Sequence, residues 1–597
     1  MPKTIRRARL AAVLAAFALV AAPSVLLVDP AAAAGGTVWV NAAWVGVTPG
    51  TDPDGGGPAT IFGVDSFATI ATALGVTPAT LHLAAGTYAE QVVFSNTITV
   101  TGAGPGLSII ANPGVLAPVH TLGAIVVVGS GANVTMTGVT ITGPGVSIPG
   151  PFTMGVLVAD GGALDLRAST VTAIRDTPLG GTQTGHGIVV GTTAGQGGAS
   201  NGSLHLEDST VSDFQKIGVI VRAGSTATIL DNDIIGQGWQ CVNASNGIQL
   251  QGTATVAFNR VTANSYYWCG AGVATSFGIG VFSPSGANDI HDNTLTGNEI
   301  GVYLSAGAST LAAVTVSNNR VTGLEDDVSG HPEADDSYGV VSAWAGPNLA
   351  VRGNTFTRHH YGLFLSGGGE TVTSNMIADN ATGLQVSVTP LRLAGNSIIG
   401  NTVGAAGNGA TSTTGGPNWW GCNEGPTDPD CDSATSAYSE PDWLILSLDL
   451  PSCEVEVDGA IPATLSLATT SAGIVTTDAF VPPTSITPIT GSRVQPTPTS
   501  GVTTSGVLTI TLIGTIEGTG ALQAQAQNAL VAAPGTTSGC PLQLRVVASQ
   551  LTTLALADTG TDPAPIGATA LLIALCGLLI RRASSSGESG SRAARHP

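Results

Sequence analysis

The chain has 597 residues, of which 81 are glycine, with 10% charged and 5% aromatic residues and a formal charge of −20. That length exceeds what one hydrophobic core normally serves, and that glycine content with few aromatics argues against a helical protein. So acidic a chain excludes nucleic acid and anionic lipid as partners, because both carry its own sign of charge.

Lys3, Arg6, Arg7 and Arg9 precede an apolar run at 10–28, and Ala31, Ala32, Ala33 and Ala34 offer a cleavage site. This predicts a secretory signal peptide over 1–34. The leader carries a net +3 and residues 561–597 a net +2, so the chain between them is near −25. Thr37-Val38-Trp39-Val40-Asn41 reads as a first strand, followed by a Gly/Pro/Asp-rich loop at 49–58. Ser66 is placed to cap a short helix over 67–74, a lid for the open end of a stack. Strand patterns follow at 81–83, 92–94 and 98–102.

From about 155 to 401 a unit recurs: Gly, an alternating apolar strand, a polar turn, then Asn and a second short strand. The strands start at Gly155, Gly187, Gly218, Gly247, Gly278, Gly301, Gly339, Gly362 and Gly383. Asn232, Asn259, Asn293, Asn319, Asn354, Asn375 and Asn396 follow in turn. A repeat of 21 to 38 residues with strands and no helical period predicts a solenoid, each unit burying its apolar face on the next. The Asn residues are expected to stack in one tight turn, tolerating a left-handed backbone and hydrogen-bonding along the stack.

This pattern resembles the right-handed parallel β-helix, or pectin-lyase-like, family over roughly residues 37–425. The resemblance implies an all-β solenoid and little about activity, since the fold carries lyases, hydrolases, esterases, epimerases, adhesins and spacers. We place the β-helix domain at 35–435. Its expected end is Asn418-Trp419-Trp420-Gly421, read as a cap with both indoles over the last coil rather than as a sugar-stacking pair. Residues 443–548 are rich in Thr, Val and Ser with Pro-rich turns, and resemble a bacterial immunoglobulin-like sandwich of the kind used as a stalk. The Pro-rich stretch 481–498 reads as a loop, and 549–555 as a linker.

Leu556-Ala557-Asp558-Thr559-Gly560, the apolar run 566–580 and Arg581-Arg582 resemble a Gram-positive cell-wall sorting signal over 556–582, with a cytoplasmic tail at 583–597. The resemblance implies a sortase thiol attacking the Thr559 carbonyl, release of Gly560 and a covalent tether to the wall. Fifteen apolar residues are short for a membrane span, which favours sorting over a plain anchor. The expected location is therefore the cell surface, with sortase and the cell wall as partners and a monomeric chain.

Seven cysteines are present, and Cys576 lies in the apolar run. The other six are even in number and extracytoplasmic, and their placement suggests pairs Cys241–Cys269, Cys422–Cys431 and Cys453–Cys540. If the residue after each Gly points inward, alternation turns Gln249, Gln251, Phe282, Tyr303, Phe364 and Gln385 outward, and no outward position is a carboxylate. Paired-carboxylate hydrolysis needs two such groups, so this face supplies hydrogen bonding and ring stacking instead. The loops before the strands hold Trp239, Tyr266, Tyr267, Trp268 and Tyr361, candidates for carbohydrate binding. They also hold an acidic run with Asp326, Asp327, Asp335 and Asp336, candidate Ca²⁺ ligands because that ion takes several oxygens. Arg352, Arg358, His359 and His360 are the candidate bases. Two function classes follow: a non-enzymatic adhesin or glycan-binding surface module, and a Ca²⁺-dependent polysaccharide lyase.

Overall fold

The computed structural model describes residues 35–548 apart from 144–152, 267–274, 324–336, 408–412, 527–528, 532–534, 537–542 and single residues at 309, 389, 391, 415, 430, 436 and 478. The segments expected to be the signal peptide, linker, sorting signal and tail lie outside the described residues. Among those described, no helix is long and apolar enough to cross a membrane.

Three parallel sheets dominate, one of 14 strands and two of 12. The chain visits them in rotation, so each circuit is one coil and each strand pairs only with its equivalent in the coils before and after. We call them sheet I (Thr80–Leu83 through Arg392–Ala394), sheet II (Gly86–Ala89 through Ser397–Ile399) and sheet III (Val92–Phe94 through Val403–Gly407). Sheet I gains its two extra strands from Thr37–Val40 and Ser66–Phe67 at the start of the stack.

The interior is filled by stacked rows. Val156, Ile188, Val219, Ile248, Ile279, Val302, Val340, Leu363 and Leu384 form one such row, each the residue after a strand-start glycine and each without exposure. The glycines serve close approach rather than a special backbone angle. A Cβ on Gly187 or Gly218 would sit 2.6 Å from the carbonyl oxygen of the next coil's glycine.

The asparagines form a continuous ladder. In each coil the Asn backbone N–H and side-chain amide both donate to the carboxamide oxygen of the next Asn, from Asn232 through Asn418, at 2.9–3.0 Å. One part of the expectation changes. The left-handed position is the residue before the ladder Asn: Asp231, Phe258, Asp292, Asn318, Gly353, Ser374 and Gly395 carry φ between 54° and 68°. That residue makes the turn, which frees the Asn side chain to point into the stack.

The N-terminal lid differs from expectation too. Ser66 is fully buried in the edge strand Ser66–Phe67, because Phe67 is used as a core residue there. The helix is Ile70–Leu74, capped by Thr69, and the Glu90 carboxylate accepts from the Ile70 and Ala71 N–H groups at 2.9 Å each.

At the other end the paired indoles part. Trp420 joins the solenoid core and Trp419 the core of the following β-sandwich. The Trp419 backbone nevertheless pairs with the last strand of sheet II, donating to Asn396 O and accepting from Ile398 N, both at 2.8 Å. The cap reading therefore holds for one ring, while the other rivets solenoid to sandwich. The Asn ladder ends here on Glu440, which accepts from Asn418 N, Asn418 Nδ2, Trp420 Nε1 and Tyr438 OH at 2.6–3.1 Å. A second, shorter ladder through Asn380 and Asn401 ends on the Asp432 carboxylate in the same way.

Cys422 and Cys431 form a disulfide with Cα atoms 5.4 Å apart. Cys241 and Cys453 are also disulfide-bonded, and Cys269 and Cys540 lie outside the described residues. The sandwich sets a five-stranded sheet against a six-stranded one over a shared core that includes Leu446, Leu465, Leu512, Ile486, Leu522 and Leu544. The stretch read as a Pro-rich loop contains strands Ser485–Thr490 and Val494–Thr497. Pro496 is tolerated because its strand is at a sheet edge, where one side needs no donor.

Candidate functional site

The outward face of sheet III divides into two parts. In the early coils Leu122, Ala124, Val127, Met154, Leu157, Val189 and Ile220 form a second apolar cluster, almost without exposure, on the outside of the sheet. Val119 packs on it, and its loop is pinned from both sides. The Gln91 carboxamide exchanges hydrogen bonds with Ala117 at 2.8–2.9 Å, and His120 Nε2 lies 2.7 Å from the Asp160 carboxylate. Outward positions of the alternating strands are thus buried at this end, which alternation within a strand cannot reveal.

At the border of this covered region stand His186, Lys216 and Arg222. His186 is fully buried and held down to about 3, first by desolvation and then by Arg222 and Lys216, so its imidazole is neutral. Lys216 and Arg222 are both lowered by burial. Lys216 donates to Ala244 O at 2.7 Å and Arg222 to Gln251 Oε1 at 3.2 Å. None of the three was singled out from sequence, because their proximity depends on the register of two neighbouring coils.

Beyond this border, four neighbouring strands carry six rings on the outward face, a seventh, Trp344, being in the solenoid core. They are Phe277–Phe282, Ile300–Ala306, Tyr338–Trp344 and Tyr361–Leu365. Their register aligns Phe277, Ile300, Tyr338 and Tyr361 in one row and Gly280, Tyr303, Val341 and Phe364 in the next. Tyr303 lies 5.3 Å from Phe282 and 6.1 Å from Phe277, stacked on both. Tyr338 stacks on Tyr361 at 5.2 Å and 16°, and Phe364 stands edge-on to both at 6.0 Å. Gly280 makes the first group possible: a Cβ there would meet the Phe277 and Phe282 rings at 2.4 and 2.8 Å. Phe277 is buried and the other five rings are half-buried, and Gln249 and Gln385 flank them in the same rows. No strand of sheet III contains an Asp or Glu. This strip offers π faces, hydroxyls and carboxamides, which is the chemistry of binding.

Of the residues singled out from sequence, Tyr361 belongs to the strip, and His360 packs on it with ring centroids 4.4 Å apart. Trp239 and Tyr266 lie at the ends of two long neighbouring strands of sheet II, Asp233–Gln240 and Arg260–Tyr266, both half-buried but one residue out of register, Trp239 opposite Ser265 and Tyr266 opposite Gln240. Arg352 closes a strand of sheet I, so its coil position is off the strip, and Arg358 is exposed with φ 59° after a strand of sheet II. His359 is not at a rim. It is buried, its backbone N–H donates to Asn380 Oδ1, and desolvation lowers it to about 4, so it stands neutral within the stack. Tyr267, Trp268, Asp326, Asp327, Asp335 and Asp336 lie outside the described residues.

The cysteines and Glu424 approach one another as a possible metal set, but the Cys422–Cys431 disulfide consumes both sulfurs. The carboxyls held above their usual range, Glu370, Asp432 and Glu440, are all raised first by burial and sit in the stack or its end rather than on the strip.

A family model described as "Right handed beta helix region" matches residues 123–370 and 282–419. No curated protein matches the sequence. Among solved structures the chain is similar to the tailspike protein of E. coli bacteriophage HK620 in complex with pentasaccharide, at 12% identity over 75% of this chain and 86% of that one, TM-score 0.33. It is also similar to the Azotobacter vinelandii mannuronan C-5 epimerase AlgE4 A-module (14%, 68% and 99%, TM-score 0.33) and to the catalytic domain of a GH87 α-1,3-glucanase (12%, 62% and 66%, TM-score 0.31). With the family match and the three parallel sheets agreeing, residues 123–419 of this chain are a right-handed β-helix region.

Proposed function

We propose that the chain is a secreted, cell-wall-anchored β-helix that binds polysaccharide along the outer face of sheet III without cleaving it. The observation that carries this reading is the strip of six rings on four consecutive coils, in register and flanked by Gln249 and Gln385. Half-buried aromatics with a few polar groups are what a saccharide site uses, and rings locked by their neighbours lose little freedom on binding. The leader at 1–34 and the Leu556–Gly560 motif support display on the wall, with the sandwich as a spacer and sortase as the enzyme that joins Thr559 to it.

The test is a glycan array on the secreted chain with and without Ca²⁺, followed by an absorbance assay for unsaturated sugars on each hit. Binding without product is the expected result. A second reading, a Ca²⁺-assisted lyase, is favoured by one observation. The insertion carrying Asp326, Asp327, Asp335 and Asp336 rejoins the sheet at Ser337, next to strip residue Tyr338, and His360 packs on Tyr361. Unsaturated product that disappears with EDTA would establish that reading instead.

A further inference from the structure

A separate cavity of about 340 Å³ lies at the N-terminal end of the solenoid, against the outer face of sheet I. Its floor is a row across three strands, Trp39, His82 and Thr101, fixed by parallel register. Trp39 and His82 stack at 5.8 Å and 19°, making one flat surface two coils wide. Trp44 comes from the 3₁₀ turn Ala42–Trp44, which Asn41 caps by accepting from Ala43 N at 3.0 Å. Asp54 comes from the Gly-rich loop.

That loop is a built wall. Asp52 accepts from Asp54 N and Gly55 N, Asp54 from Gly56 N, and Asp65 from Thr60 N and Ile61 N. Gly50 N donates to Phe62 O and Phe62 N to Thr51 O, closing the loop on itself. The cavity is therefore formed before any ligand arrives, at the small end of the roughly 300–1,000 Å³ typical of ligand pockets.

The polar groups of its lining discriminate between ligand classes. The indole N–H groups of Trp39 and Trp44, the His82 ring nitrogens and the Thr101 hydroxyl make no hydrogen bond among the described residues. Asp54 has one carboxylate oxygen engaged by Gly56 and a second to offer. The site thus presents unpaired donors and acceptors beside flat rings. A quaternary ammonium, the other ligand that aromatic walls and a carboxylate attract, would leave every N–H unanswered. A neutral pyranose answers both kinds of group and lays an apolar face on the rings.

We propose that this cavity binds a single neutral sugar residue, such as a free monosaccharide or the terminal residue of a glycan. This site is independent of the ring strip on sheet III. It would hold an end of a chain, whereas the strip would hold its length.

Isothermal calorimetry of the secreted chain against glucose, galactose, mannose, N-acetylglucosamine and choline tests it. One sugar should bind at one site per chain. Asp54→Asn should weaken it at least tenfold while keeping the loop, because asparagine still accepts from Gly56. Trp44→Ala should abolish it. Tyr303→Ala, on the strip, should leave it unchanged, so a failed strip does not decide this site. The proposal is overturned if no sugar binds, if only choline does, or if both pocket variants bind as the parent.

Discussion

Replacing Asn319 by Ala should cost about 2–4 kcal/mol, far more than the removal of one small polar side chain from a surface. Asn319 is 1% exposed, in the middle of the ladder. Its oxygen receives the backbone N–H and the side-chain amide of Asn293, both at 2.9 Å. Its nitrogen donates to Ile290 O and Asn354 Oδ1, also at 2.9 Å. Alanine orphans one buried donor, the Asn293 backbone N–H, at about 1–3 kcal/mol, while Asn293 Nδ2 keeps Val256 O and His291 O; it also removes one donor from each of two oxygens. Asn354 Oδ1 keeps the Asn319 backbone N–H, so the acceptor side loses less. Asn319→Asp is the informative partner. It still accepts from Asn293, but a carboxylate oxygen then faces Asn354 Oδ1 and the Ile290 carbonyl, so the variant should be weakest at neutral pH. It should recover in acid, where the protonated group donates again. Guanidinium unfolding followed by circular dichroism, with exposed Thr294→Ala as control, measures this. A loss below about 1 kcal/mol for Asn319→Ala would mean that water replaces the amide, and would refute the view of the ladder as a sealed structural element.

On the strip, Tyr303→Ala and Phe364→Ala should each reduce polysaccharide binding at least tenfold, read by calorimetry on an array hit, with Tm moved only a few degrees because both rings are half-buried. Trp419→Ala should cost about 3–5 kcal/mol by opening a cavity in the sandwich core. Limited proteolysis should then release the sandwich before the solenoid. At the ladder's end, burial pushes Glu440 up to about 7 from an ordinary 4.5. A carboxyl raised on folding stabilises the protonated folded state, so this contribution is full below about pH 4.5 and gone above about pH 7. Glu440→Gln should flatten the Tm-versus-pH curve in that window while other acids keep theirs.

What periodicity carries was legible in the sequence, and what lies between unlike segments was not. Gly187 and Gly218 recur because each coil must admit the next coil's carbonyl, so the pattern shows the fold directly. The Asn ladder shows for the same reason, but its terminator does not. Glu440 lies 22 residues beyond Asn418, the same spacing as the rung before it, but as a Glu after the last repeated strand it does not read as a rung, and only the folded cap shows that it accepts the ladder's end. Trp419 and Trp420 look equivalent as neighbours in sequence. Alternation on one extended segment sends their rings into different cores. The strip itself was half legible: Phe282, Tyr303 and Phe364 follow from alternation, whereas Phe277 and Tyr338 precede their glycines and escape a count that starts there.

The ladders and the strip are connected by register. A one-residue slip in any coil would turn its outward residues inward, so a strip spread over four coils requires each coil to be indexed separately. The Asn ladder indexes one corner of every coil from Asn232 onward, and Asn264–Asn298 and Asn380–Asn401 index a second. Residues 267–274 and 324–336 fall in sequence between a strand of sheet II and the next strand of sheet III, and sheet III resumes at Phe277 and Tyr338 with rows unbroken. Coil length can therefore vary on the rim while ring spacing on the face stays fixed at the inter-strand distance. If the strip binds polysaccharide as proposed, the same rigidity ties that binding to the ladder: Asn319→Ala should weaken it through Tyr303 and Tyr338, which flank its coil, before it unfolds the chain. Unchanged affinity in that variant at a temperature where it remains folded would separate the two and leave the strip's geometry to local packing alone.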